Sequence, residues 1–126
     1  MSDRWIVDDF ASTLDQFESA MDQPAGSDLI RAGCIQYFEF TFELAWKAIK
    51  QMAEEFGLPP CTSPKSCLKA AFHQGWIEDE VIWLDMLEAR NQMSHTYDAR
   101  NALKVYERLA VYCPSLRQLL ERLKAA

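Results

Sequence analysis

Glycine and proline are scarce in this 126-residue chain, with four and five copies. That scarcity excludes collagen-like, disordered and turn-rich all-β readings and leaves long helices. Histidine occurs only as His73 and His95, and no two cysteines have C-x-x-C spacing, so no metal site and no cofactor is expected. Uninterrupted apolar runs are a few residues long, too short to cross a bilayer. The opening MSDRWIVDDF has neither the basic nor the apolar region of a secretory leader. Cys34, Cys61, Cys67 and Cys113 therefore read as free thiols of a cytoplasmic protein. Bases are also in deficit, 13 Lys+Arg against 19 Asp+Glu for a net charge of −6, which argues against a protein that coats DNA.

What is present is apolar periodicity. Hydrophobic residues make up 49% of the chain and aromatics 12%, the composition of one globular domain over residues 1–126. Phe10, Leu14, Phe17 and Met21 recur at helical intervals within residues 3–21. Gln23-Pro-Ala-Gly26 breaks that pattern, and Ser27 or Asp28 offers an N-cap to a second helix of about 29 residues, roughly 43 Å long. Gly57-Leu-Pro-Pro60 stops it. Its apolar face is wide, from Ile30, Cys34, Tyr37 and Phe38 through Thr41, Phe42, Ala45, Ile49, Met52 and Phe56, with Phe40, Leu44 and Ala48 alongside. A face that broad calls for cover on more than one side, and a second copy of the chain is a natural cover.

Ser63-Pro64 caps a short helix over Lys65–Gln74, closed by Gly75. A fourth helix is predicted from Trp76 or Ile77 to Met93 or Ser94, with Ile77, Val81, Leu84 and Leu87 on one row and Ile82, Trp83, Met86 and Met93 on the next. Asp98 is an N-cap candidate for a fifth, in which Pro114 predicts a kink or restart. The fold class is all-α, an antiparallel four-helix up-and-down bundle with one additional short helix.

Charge is unevenly placed. Residues 1–30 carry seven acids against Arg4, whereas from Asp98 onward six bases face three acids. Between the fourth and fifth helices, Glu88-Ala-Arg90-Asn91-Gln-Met-Ser94-His95-Thr-Tyr97-Asp98 gathers a permanent cation, an imidazole, a phenol and carboxylates. These groups suit RNA cleavage without a metal. A histidine moves protons at the 2′-hydroxyl and the 5′-oxygen, while an arginine gives paired donors to the phosphoryl oxygens. One histidine cannot easily serve both faces of an in-line displacement, but two copies of the corner on a two-fold axis can.

Taken alone, Arg90 is also a natural ion-pair partner for Glu88 or Asp98, and His95 a helix cap. His73 reads as structural, and the run Tyr37–Phe42 as core more than as a base-stacking surface. Glu39, Glu43 and Lys47 stand four apart, which reads first as a solvated ladder. The sharper alternative is a carboxylate turned toward Arg90.

Two segments carry a family resemblance. Cys34-Ile-Gln-Tyr-Phe-Glu-Phe-Thr-Phe-Glu-Leu-Ala-Trp-Lys47 resembles the signature stretch of the nucleotidyltransferase substrate-binding protein family. Arg90-Asn-Gln-Met-Ser-His95-Thr-Tyr97 resembles the R-x4-H-x-Y motif of the HEPN superfamily, which includes that family and the HepT-like toxins. The likeness spans about residues 5–124. It implies a HEPN fold, a homodimer, and a separate minimal nucleotidyltransferase as partner, usually encoded in the adjacent gene. It also implies roles in metal-independent endoribonuclease cleavage for Arg90 and His95; Asn91, Tyr97 and Glu43 are the candidate supporting residues. Within such a toxin-antitoxin pair Tyr97 would be the acceptor of AMP groups. The alternative left open is a non-catalytic substrate-binding or adaptor subunit of a two-component nucleotidyltransferase.

Overall fold

Helix starts in this chain follow side chains placed to receive otherwise unpaired backbone N–H groups. Ser27 accepts from the Ile30 N–H at 3.2 Å, and Asp98 from the Arg100 N–H at 3.0 Å. Ser63 and Ser66 form a reciprocal capping box on either side of Pro64. In the computed structural model, which describes residues 5–24, 26–93 and 98–126, the result is five helices. They are α1 (Trp5–Met21), α2 (Asp28–Glu55), α3 (Pro64–His73), α4 (Glu80–Met93) and α5 (Ala99–Ala125). All regular structure among the described residues is helical. Gly57 and Gly75 take positive φ of 70° and 76° at the ends of α2 and α3, a conformation that a side chain would disfavour.

The four long helices run alternately down and up, with short α3 between α2 and α4. α2 is the scaffold. Phe38 at its centre is fully buried and its ring lies 6.2 Å from Phe17 of α1, 6.2 Å from Phe42 one turn on, and 5.3 Å from Tyr112 of α5. Phe42 in turn meets Trp83 of α4 at 6.3 Å. Phe10, Leu14 and Phe17, the stripe legible in the sequence, are all fully buried in the same cluster. Phe40 and Phe56, grouped with the apolar face by sequence, are instead 51% and 47% exposed.

Arginines tie the helices together at the surface. Arg117 of α5 reaches Asp15 at 2.7 Å and also Glu18, both on α1. Arg108 of α5 reaches Asp85 of α4 at 2.6 Å, and the buried Tyr112 hydroxyl donates to the other Asp85 oxygen at 2.7 Å. Burial first, and Asp85 second, hold that phenol well above the usual tyrosine range.

Several sequence expectations are corrected. Cys61 and Cys67 form a disulfide, with Cα atoms 5.1 Å apart, so only Cys34 and Cys113 are free thiols. The capped turn at Ser63-Pro64 folds the chain back over that six-residue separation, which a search for C-x-x-C does not register. α4 starts later than expected, at Glu80, because the Asp79 carboxylate accepts from the Ile82 N–H at 3.1 Å and caps the helix there. Trp76 and Ile77 are buried in the connection instead, while Val81 is 77% exposed. The inward row of α4 is Trp83, Met86 and Ala89. Pro114 does not restart α5, which runs as one helix from Ala99 to Ala125 with the proline inside it. Both Pro114 and Ala110 are exposed, so the carbonyl deprived of its bond faces water, where the loss costs little.

The centre of this packing is testable. Phe38→Ala is expected to lower unfolding stability by about 3–5 kcal/mol in urea titrations. A loss below about 1 kcal/mol would contradict the position given to this ring.

Candidate functional site

The candidate site grows from the last turn of α4. Trp83, Met86 and Ala89 face the core, and this register swings the next residue, Arg90, across to α2. Its guanidinium meets a Glu43 oxygen at 2.6 Å and donates to the Asn91 side-chain oxygen at 3.1 Å. The second oxygen of Glu43 accepts from the Trp46 indole N–H at 3.0 Å. One carboxylate is thus shared between a guanidinium from α4 and an indole one turn further along its own helix. Arg90 and Glu43 are 29% and 30% exposed, open to solvent but partly shielded, so the pair orients the guanidinium more than it stabilises the fold.

Of the two partners offered for Arg90 by local spacing, Asp98 is occupied at the N-terminus of α5. The ion pair runs to Glu43, 47 positions away in sequence. The Glu39, Glu43, Lys47 series is not a simple ladder either. Glu43 is held by Arg90 and Trp46, and the Lys47 Nζ lies 5.9 Å from the centre of the Trp46 ring, within cation–π reach. Glu39 lies one turn before Glu43. Burial pushes its carboxyl above the usual glutamate range, Arg90 opposes that shift and the Glu43 charge adds to it. A guanidinium has five N–H donors in a planar fork. With Glu43 and Asn91 fixing its plane, the remaining donors are oriented to receive an anion such as a phosphoryl group.

His95 and Tyr97, the other motif residues, lie outside the described residues, in the segment that joins α4 to α5. Arg90, Asn91 and Glu43 are brought together; His95 and Tyr97 are tied to them by sequence. Trp46 was not among the residues singled out from the sequence, although its i,i+3 spacing from Glu43 is the signal that would have found it. The Asp85, Arg108 and Tyr112 cluster, 23 to 27 positions apart in sequence, has no local signal at all. It lines a groove of about 460 Å³ with Val81, Leu84 and Val111.

Comparison with known proteins bears on this corner. Residues 7–125 match the family described as nucleotidyltransferase substrate binding protein like. A Haemophilus influenzae protein named "Probable ribonuclease HepT" is 33% identical over 101 residues, which cover 77% of this chain and 69% of that protein. A Thermus thermophilus protein of solved structure superposes with a TM-score of 0.82 at 31% identity, covering 90% of this chain and 98% of the other. A second solved structure, from Haemophilus influenzae, is described as the fold of a substrate binding domain of a nucleotidyltransferase. It superposes with a TM-score of 0.75 at 29% identity, over 94% of this chain and 98% of its own.

The raised Glu39 pKa fixes the sign of a pH effect. Because the folded chain holds this proton more tightly than the unfolded chain, stability falls as pH rises from the unfolded value toward the folded one. Glu39→Gln removes the group. The variant is expected to equal the parent in stability below about pH 4 and to exceed it at pH 7, read from denaturant midpoints. A variant less stable than the parent at pH 7 would reverse the assignment.

Proposed function

The chain belongs to the nucleotidyltransferase substrate-binding-protein-like family, and from that premise we propose that it is a HepT-like, metal-independent endoribonuclease. Its activity would be silenced by a nucleotidyltransferase partner, as in a toxin-antitoxin pair. The observation that carries this reading is the Arg90 guanidinium, oriented by Glu43 and Asn91 three residues before the end of α4 and five before His95 in the chain.

In the proposed reaction the 2′-oxygen of the RNA attacks the adjacent phosphorus while an imidazole takes its proton. The bond from phosphorus to the 5′-oxygen breaks, and that oxygen receives a proton from a second imidazole. Arg90 receives the charge that accumulates on the phosphoryl oxygens. The products are a 2′,3′-cyclic phosphate and a free 5′-hydroxyl. Since each chain supplies one His95 in this corner, the second imidazole comes from a second copy, and the active unit is a homodimer. The exposed Leu29 and Phe40 on α2, 82% and 51% accessible, support a surface that takes such a cover.

Silencing follows from the same chemistry. The nucleotidyltransferase esterifies the Tyr97 hydroxyl with AMP from a nucleoside triphosphate, releasing pyrophosphate. The added phosphate lies two residues from His95 and competes with RNA for the Arg90 donors. One observation favours a second reading, in which the chain is a non-catalytic substrate-binding subunit of that nucleotidyltransferase. Glu43 already neutralises Arg90, which suits a corner that presents a surface to a partner as well as one that receives a phosphate.

The two readings separate on purified protein. Cleavage of single-stranded RNA in the presence of a chelator, with a 2′,3′-cyclic phosphate terminus, is expected for the parent. Arg90→Ala and His95→Ala are each expected to reduce the rate by at least about a hundredfold, with the helical content unchanged. Cleavage that persists in both variants, or a parent that never cleaves, would leave the binding-subunit reading in its place.

A further inference from the structure

The Trp46 indole that holds Glu43 is also one wall of a groove with no part in the scheme above. The N-terminal turn of α1 lies against the second half of α2 there. Trp5 and Ile6 from α1, with Trp46, Lys47, Lys50 and Glu54 from α2, line a volume of about 320 Å³. That is the low end of the range for small-molecule sites, roughly 300–1,000 Å³, and the size of a nucleotide more than of a packed helix. Trp5 is 56% exposed, an unusual place for an indole in a chain with buried alternatives such as Trp83.

We propose that this groove is a subsite for single-stranded RNA, with a base stacked on Trp5 and Trp46 and the flanking phosphates held by Lys47 and Lys50. The proposal rests on the RNA reading of the Arg90 corner. Three observations converge on it. Aromatic faces interleaved with lysines are the general means of holding single strands, since every base has a π-face and every linkage a charge. Within a chain of net charge −6, the two lysines of this groove stand beside the two indoles, and its carboxylate, Glu54, sits a turn further on, at the end away from Arg90. The groove is linked to the candidate site through Trp46, whose indole donates to the same carboxylate that holds Arg90. Lys50 lies seven residues beyond Glu43 on α2, about 10 Å of helix rise, so a strand engaged at Arg90 reaches the lysines within a few nucleotides. Trp46 is held in place by its bond to Glu43, and a fixed ring stacks without first losing rotational freedom.

The test uses the full chain with Arg90 intact and a fluorescent 2′-O-methyl oligouridylate, which has no free 2′-hydroxyl to attack and so binds without being cut, followed by anisotropy at low salt. Lys47→Glu with Lys50→Glu is expected to weaken binding at least tenfold. It should also flatten the dependence of log affinity on log salt by about 1.4, as two phosphate contacts on a single strand require. Trp5→Ala is expected to weaken binding at least about fivefold. Circular dichroism on each variant reports that the helices remain. Binding unchanged by both sets of changes, or no binding to the oligonucleotide at all, overturns the subsite. AMP that binds as tightly as the oligonucleotide overturns it in favour of a free nucleotide. Variants that lose a co-expressed nucleotidyltransferase while keeping RNA overturn it in favour of a protein contact. Cleavage of unmodified RNA by the same chain is measured separately. Cutting without groove-dependent binding removes the subsite and leaves the ribonuclease reading, whereas groove-dependent binding without cutting does the reverse.

Discussion

A single carboxylate organises the candidate functional corner. Glu43 faces α4 from the middle of α2, and its two oxygens are taken by the Arg90 guanidinium and the Trp46 indole. Without it, Arg90 would be a long side chain near a helix end with many rotamers of similar energy. With it, the cation is fixed in plane, the indole is fixed beside it, and an edge of the bundle acquires directed donors. The neighbouring Glu39, whose carboxyl is displaced upward by burial, shows that this edge is already partly removed from water. Placing a third anion there is costly unless it takes up the arginine donors, which is the property a phosphate-binding corner requires.

Glu43 can do this because the rest of α2 is committed to packing. Phe38, Phe42, Ala45 and Ile49 on its inner side are fully buried, so the helix cannot rotate without exposing them, and its outer side chains inherit that rigidity. α4 is fixed in a complementary way. Asp85 joins it to Arg108 and Tyr112 of α5, while Trp83 packs on Phe42. The result is a bundle whose arginines largely stitch α5 to the rest of the fold, Arg117 to α1 and Arg122 to Glu78 and the Gly75 carbonyl in the connection between α3 and α4. Lysines are left for surfaces such as the groove beside Trp46.

Helix number, order and most boundaries were readable from punctuation: Ser27, Ser63 and Asp98 as caps, Gly57 and Gly75 as stops. These are local rules, and local rules survive folding. What failed depended on tertiary placement. Trp76 and Ile77 have the spacing of α4 but are drawn into the core by α3, and Asp79 takes over the cap. Pro114 is tolerated because its helix face turns to water, a fact no window of sequence contains. The Cys61–Cys67 bond depends on the path of a turn. At the site, the Arg90 to Glu43 contact was legible only as one of several options, since the two residues meet through the packing of α2 on α4. Trp46 stood in the stretch that carries the family resemblance without being singled out, and Trp5 joins it only once α1 folds back along α2.

The account therefore stands or falls on whether Glu43 holds Arg90. The direct measurement is a double-mutant cycle on urea-induced unfolding with Glu43→Ala, Arg90→Ala and the pair. A coupling free energy of about 0.5–1 kcal/mol is predicted, diminishing as salt is raised. Strictly additive single changes, within about 0.3 kcal/mol, would mean that the guanidinium is not held by this carboxylate and would contradict the account.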